Sequence, residues 1–253
     1  MAATNQFIAA SKPLKEALKS AHLLKSLKFN TLILGEPGTG RHTLARFMHP
    51  EAPILHGDDP KIHTLAEKES SIIVDRIDRI DSIPKFFQTL NKHGTQVIAI
   101  AETLDNEWRS KFSVRIELPP LRDRLEDVSP LIEKFKEETL ALFGLEESTI
   151  DFTIDEKNLD LSRNAYSLRR SVMLQFLTHY LEEEELLGIN ESYLAGKIAE
   201  GEDLYRKLLY LYEVPLIRAG MKRYGSQLKM SEAFGLNRNT LRKKINEWKK
   251  FFS

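Results

Sequence analysis

Thr31-Leu-Ile-Leu-Gly-Glu-Pro-Gly-Thr-Gly-Arg-His-Thr-Leu-Ala-Arg46 is the stretch on which the reading of this chain turns. An apolar run, a glycine-rich turn and a helix-like pattern follow one another. Gly35, Gly38 and Gly40 fit the phosphate-loop spacing G-x-x-x-x-G-K-[ST], with Arg41 at the lysine and His42 at the hydroxyl position. Glycines let successive backbone N–H groups curl around an oxyanion, and the following helix adds its positive end. Glu36, Pro37 and Thr39 complete the expected nucleotide-binding loop, Gly35 to His42. Arg41 brings a broad planar fork in place of a compact ammonium, so it attracts phosphate without reproducing the lysine's geometry.

Two further apolar runs, Ser71 to Asp75 and Gln96 to Ala101, are of the kind buried on both faces of a parallel sheet. A helical pattern runs from Leu14 to Leu27 ahead of the loop, and others lie between the strands. This alternation predicts an α/β core, residues 1–118, ended by Pro119-Pro120. Beyond it, Ser129-Pro130 predicts the start of a helix that stops at Gly144, Leu145 to Asp160 is acidic and turn-like, and Leu168 to Leu187 predicts a second helix. Residues 119–190 thus form a small helical subdomain.

Residues 191–253 change character again. A helix through Leu204 to Leu211, another opened by Pro215, a short helix from Gln227 to Phe234, a turn at Gly235-Leu236 and a last helix from Arg238 to about Lys250 are expected. Short helix, glycine turn and basic helix make a helix-turn-helix pattern. Leu241, Ile245 and Trp248 share one stripe of the last helix, which leaves Asn239, Thr240, Arg242 and Lys243 on the free face. Six bases and one acid, Glu247, lie between Arg238 and Lys250, enough to neutralise several phosphates of a duplex.

The 253-residue chain has formal net charge zero, so any affinity for nucleic acid must be local. Absence of cysteine excludes disulfides and thiol catalysis and suits a reducing cytosol. Met-Ala-Ala-Thr-Asn-Gln carries no leader pattern and no apolar run is long enough to cross a bilayer, so a cytoplasmic protein with no membrane partner is expected.

Tyr224 to Ile245, Tyr-Gly-Ser-Gln-Leu-Lys-Met-Ser-Glu-Ala-Phe-Gly-Leu-Asn-Arg-Asn-Thr-Leu-Arg-Lys-Lys-Ile, closely resembles the Fis-type helix-turn-helix that ends the sigma-54-dependent enhancer-binding activators. By that resemblance Asn237, Arg238, Thr240, Arg242 and Lys243 contact double-stranded DNA, and the preceding helices, including Val214-Pro-Leu-Ile217, form a homodimer. Met230 and Ser231 stand where the module usually has small alanines. The rest resembles the AAA+ domain of the same activators: Phe7-Ile-Ala-Ala-Ser11 its opening segment, Gly35 to Arg41 its Walker A loop, and Leu118-Pro-Pro-Leu-Arg-Asp-Arg-Leu-Glu-Asp-Val128 its link to the lid. The implied fold is an α/β AAA+ type P-loop parallel-sheet core with a small helical lid, followed by an all-α Fis-type helix-turn-helix domain.

Departures from the family shape the functional expectation. Ile72-Ile-Val-Asp75 matches Walker B with Asp75 as the magnesium-side carboxylate, but Arg76 stands where the family has the acid that prepares water. Glu102 follows the third strand where a polar sensor pair is usual, Tyr166 replaces the lid's phosphate-sensing arginine, and Lys111 and Asp105 stand at two arginine-finger positions. Such losses remove most phosphoryl-transfer rate. Between His49 and Ile72 only positions 50 to 71 intervene, with no GAFTGA loop. The expectation is a DNA-binding transcriptional regulator that takes ATP or ADP with Mg2+ but is not an enzyme and has no catalytic residue. RNA polymerase is reached, if at all, without the GAFTGA mechanism. The alternative is an ATP-hydrolysing AAA+ protein acting on DNA or the transcription machinery.

Overall fold

The computed structural model describes residues 7–145, 152–198 and 202–252, and divides into two compact units, Met1–Tyr180 and Leu181–Ser253. In chain order the first unit holds α1 (Lys12–Leu24), β1 (Thr31–Leu34), α2 (Arg41–Met48), β2 (Ile54–His56), α3 (Ile62–Lys68), β3 (Ser71–Asp75), α4 (Ile83–His93), β4 (Gln96–Ala101), α5 (Asn106–Ser110), β5 (Val114–Glu117), α6 (Val128–Leu142) and α7 (Ala165–Tyr180). The second holds α8 (Glu183–Ile198), α9 (Leu204–Leu208), α10 (Tyr210–Tyr224), α11 (Gln227–Ala233) and α12 (Arg238–Glu247).

All five strands are parallel, in the order β2-β3-β4-β1-β5. Strand side chains alternate between two cores, as a two-residue period requires. Leu32, Ile72, Val74, Val97 and Ala99 meet Phe86, Leu90 and Trp108 on one face. Ile33, Ile73, Ile98 and Ile100 meet Leu14, Leu44 and Met48 on the other. The result is a three-layer α/β core with α1 and α2 opposite α3, α4 and α5. Beyond it α6 and α7 pack through Ile132, Phe135, Leu168 and Val172.

Several expected boundaries move. Ser129 does not cap α6, because the helix starts at Val128, out of a 3-10 turn that ends at Asp127. The helix expected over Leu168 to Leu187 is two, parted after Tyr180, and Glu183 to Glu185 form the first turn of α8, where carboxylates suit the helix dipole. Pro215 lies inside α10 rather than at its start. Part of the Leu145 to Asp160 stretch lies outside the described residues, as does the N-terminal Met-Ala-Ala-Thr-Asn-Gln; its described part contains a 3-10 turn, Glu156–Asn158. Among the described residues no helix is long and apolar enough to cross a membrane.

Candidate functional site

β1 lies between β4 and β5, while the chain leaving β1 returns on the far side of the sheet. The crevice at such a reversal, beyond the carboxyl ends of the strands, is where open α/β sheets bind ligands. The loop from Gly35 to Gly40 occupies it. Gly38 has φ +84, and a Cβ there would stand 2.7 Å from the Arg163 carbonyl oxygen, so glycine is required. Thr39 is buried and donates its hydroxyl to the Glu36 carbonyl at 2.8 Å, closing the loop on itself. Arg41 opens α2 and is only 8% exposed; burial lowers its pKa, opposed by attraction to Asp75 and Glu102.

Beside the loop a cavity of about 410 Å³ is lined by Pro37, Arg41, His42, Asp75, Arg76, Asp78, Arg79, Glu102, Thr103 and Tyr166. Asp75 ends β3, and its Oδ2 lies 3.2 Å from His42 Nε2 while its Oδ1 accepts the Arg76 N–H at 3.0 Å. The hydrogen bond from His42 holds the Asp75 carboxyl below its usual range against the opposing pull of burial, with Arg41 adding to the effect. Arg76 adopts a left-handed backbone, φ 51. For a residue with a Cβ this costs about 1 kcal/mol or more, and such strain concentrates at functional sites. The sequence brings Gly35 to His42, Asp75, Arg76, Glu102 and Tyr166 forward as candidates. Asp78 and Arg79 went unread because they follow β3 in a 3-10 turn with no motif.

Two polar networks hold the loop. Glu36 takes a bidentate pair from Arg122, Nη1 to Oε2 at 2.9 Å and Nη2 to Oε1 at 2.6 Å. That contact, followed by a hydrogen bond from Asn164, lowers the Glu36 pKa to about 2. Asn164 Nδ2 donates to Glu36 Oε2 at 3.1 Å and to the Pro37 carbonyl at 3.0 Å, and its Oδ1 accepts the Leu121 N–H at 2.6 Å. Asp127 is fully buried: it accepts the Ala10 and Ser11 N–H groups, the Ser11 hydroxyl and Arg124 Nη1, and Arg124 Nη2 continues to the Thr39 carbonyl at 2.9 Å. Burial would raise the Asp127 pKa, but these hydrogen bonds outweigh it and the shift is downward. Neither network was read from sequence.

In the second unit Ile217, Met230 and Leu241 are buried together. A Cβ at Gly220 would lie 2.5 Å from Phe234 Cζ and 2.7 Å from Met230 Sδ, so α10 meets its neighbours there without room for a methyl group. Asn237 caps α12, accepting the Asn239 N–H at 2.8 Å. Asn237, Arg238, Thr240, Arg242 and Lys243 are all exposed. Lys244 and Trp248 turn inward to Glu213, which accepts Trp248 Nε1–H at 2.7 Å and pairs with Lys244 Nζ. None of the α8 residues is buried, although Leu186, Leu187, Ile189, Tyr193 and Ile198 lie on it. Val214 and Ile217, read as part of a dimer surface, are buried inside their own unit.

A five-stranded parallel sheet in the order β2-β3-β4-β1-β5, with a phosphate loop leaving the interior strand β1 and a helical lid after the last strand, defines an AAA+ type P-loop protein. No family model matches the chain. The DNA-binding transcriptional regulator NtrC of Rhizobium meliloti (strain 1021) is 31% identical over 176 residues, 53% of this chain and 35% of NtrC, so the chain spans about a third of that relative's length. NtrX from Brucella abortus in complex with ADP superposes with TM-score 0.56 at 14% identity, covering 96% of this chain and 69% of NtrX. RuvB of Thermotoga maritima, a Holliday junction branch migration motor, gives 0.50 at 14% identity over 97% of this chain and 89% of RuvB. The chain thus has the AAA+ fold and resembles, in particular, the NtrC-type regulators of the sigma-54 enhancer-binding class.

The expectation that the ATPase apparatus is degraded, and that the chain is no enzyme, is corrected. Its fold is shared with NtrX, which holds ADP, and with RuvB, a motor. The physical reason lies in the cavity. The sequence reading judged water activation from position 76 alone, whereas the fold brings Glu102 and Asp78 to the same cavity as Asp75. A carboxylate missing at one position is not missing from the site.

Proposed function

We propose that this chain is a nucleotide-binding transcription regulator that reads double-stranded DNA with its C-terminal helices. The reading divides it into a nucleotide core, residues 1–118, a lid, 119–190, and a Fis-type helix-turn-helix domain, 191–253. The observation that carries it is the exposed row Asn237, Arg238, Thr240, Arg242 and Lys243, set on the opening turns of a capped helix whose other face is packed. Residues so placed reach base edges in a major groove, where arginine reads guanine and asparagine reads adenine. In the core, Gly35 to His42 cradle the phosphates of ATP or ADP, with Asp75 on the side of the metal ion.

A homodimer fits paired half-sites. The apolar groove along Leu194, Ile198, Leu208, Leu209 and Tyr212, about 340 Å³, together with exposed Tyr205 and Leu216, supports burial of this face between two copies. Positions 50 to 71 supply β2, α3 and the first residue of β3, with no GAFTGA sequence, so any contact with RNA polymerase uses another surface. Turnover of ATP is the second reading, favoured by Glu102 beside Asp75 and measured as steady-state phosphate release.

Genome-wide mapping of bound DNA, followed by anisotropy titrations on a recovered site and a scrambled duplex, tests the principal reading. Specific binding should be at least about a thousandfold tighter than non-specific at physiological salt. Equal affinity for every duplex would remove the sequence-reading role.

A further inference from the structure

His42 is not explained by the phosphate loop. At this position the loop ordinarily offers a hydroxyl to Mg2+; here an imidazole stands there, its Nε2 3.2 Å from Asp75 Oδ2. Metal–nitrogen and metal–oxygen bonds of about 2.0–2.2 Å, at angles between octahedral and tetrahedral, separate two ligand atoms by roughly 2.8–3.6 Å, a range that includes the hydrogen-bonded distance between these two side chains. The two side chains therefore already stand at the spacing of neighbouring ligands on one ion. The other oxygen of Asp75 is fixed by the Arg76 N–H, which keeps Oδ2 turned toward His42.

The donor set bears on which ion fits. Mg2+ prefers oxygen ligands and gives up water reluctantly. An imidazole nitrogen suits Co2+, Ni2+ or Zn2+ better, and affinity rises from Mn2+ through Co2+ to Ni2+. Two protein ligands do not make a closed site, and among the described residues no group of three or more His, Cys, Asp and Glu is placed to hold a metal alone. The remaining positions fall to water and to phosphate oxygens on the adjoining loop.

We propose that the nucleotide site selects an imidazole-binding first-row dication over Mg2+, with His42 Nε2 and Asp75 Oδ2 as its protein ligands and nucleotide phosphate oxygens completing the shell. This rests on the nucleotide-binding reading above. It makes His42 the residue that sets metal preference, and it makes metal and nucleotide bind as one unit.

The test uses the full chain and a fluorescent ADP, titrated in EDTA, in Mg2+ and in Co2+, for wild type and His42→Thr. Co2+ should tighten wild-type binding at least about tenfold more than Mg2+, and His42→Thr, which restores a hydroxyl, should abolish that preference. With Mn2+ and ADP, pulsed electron paramagnetic resonance should show a histidine nitrogen coupling in wild type that the variant lacks. The His42 side chain is 41% exposed, so the variant is expected to fold, and circular dichroism checks it. Nucleotide binding with no preference for Co2+, or a preference that survives in His42→Thr, overturns the metal assignment while leaving the nucleotide reading intact. No binding under any condition overturns the nucleotide reading and this inference with it.

Discussion

Asn164 is the residue whose loss should be felt most widely in the nucleotide module. It is 1% exposed, has φ 55, and joins three segments: Glu36 and Pro37 of the loop, Leu121 of the link, and its own position at the start of α7. Asn164→Gly removes the three side-chain hydrogen bonds while tolerating the left-handed backbone. It strands the buried Leu121 N–H, worth about 1–3 kcal/mol, and loses a bond to the charged Glu36 and one to the Pro37 carbonyl. A total near 3 kcal/mol is expected once partial hydration of the exposed partners is allowed for. Asn164→Ala loses the same bonds and keeps a Cβ at positive φ without the polar side chain that lets asparagine adopt it, which sets it about 1 kcal/mol below Asn164→Gly.

In calorimetry the transition of the Met1–Tyr180 unit should fall by about 6–12 °C in Asn164→Gly, given roughly 2–4 °C per kcal/mol at that size, and further in Asn164→Ala. ADP affinity should fall as well, because the loop loses its hold on Pro37. If both variants melt within about 0.5 kcal/mol of wild type, the network is ornamental and the reasoning fails.

Proton resonance titration should place the Glu36 carboxyl at about 2, and Arg122→Gln should return it toward the ordinary value of 4.5. Since its folded pKa is lowered, Glu36 contributes stability that is present above 4.5 and lost as pH falls through about 2, a loss visible as acid-sensitive loop signals. Gly220→Ala should destabilise the C-terminal unit by about 1–3 kcal/mol in denaturant unfolding, through overpacking against Met230 and Phe234. Arg242→Ala should cost about 1–3 kcal/mol at the base it reads. Lys244→Ala should change stability more than the salt dependence of DNA binding, because its ammonium is engaged by Glu213.

What the sequence made legible was local and periodic. β1, β3 and β4 are apolar runs at the heart of the sheet; β3 and β4 were each delimited at the residue where the strand begins and ends, and β1 is the apolar run that opens the quoted stretch. β2 and β5 escaped because they are edge strands: Ile54 is 38% exposed, and Arg115 and Glu117 face solvent, so each leaves too short an apolar run to stand out. Pro215 misled in another way. A proline ordinarily opens a helix, but here α10 continues through it on the strength of Val214 and Ile217, which are packed in the unit's interior. The Asn164 network joins residues more than a hundred positions apart, and no window along the chain contains both ends.

The cavity also shows why judging each substitution alone misreads a site. Arg41, Arg76 and Arg79 line it together with Asp75, Asp78 and Glu102, so its formal charges cancel, as the whole chain's do. Arg76 removes an acid, yet in the same place it supplies a cation, and Glu102 keeps a carboxylate within the same walls. A polyphosphate entering a balanced cavity gains little from net attraction, so on the metal assignment proposed above its charge is met at particular points: by Arg41 at the loop, and by an ion at the edge where His42 meets Asp75. Metal and nucleotide affinity are then linked, each strengthening the other by the same factor. Chelation should therefore weaken ADP binding in wild type as strongly as ADP strengthens metal binding, and unequal factors from the two titrations would place the ion away from the phosphates.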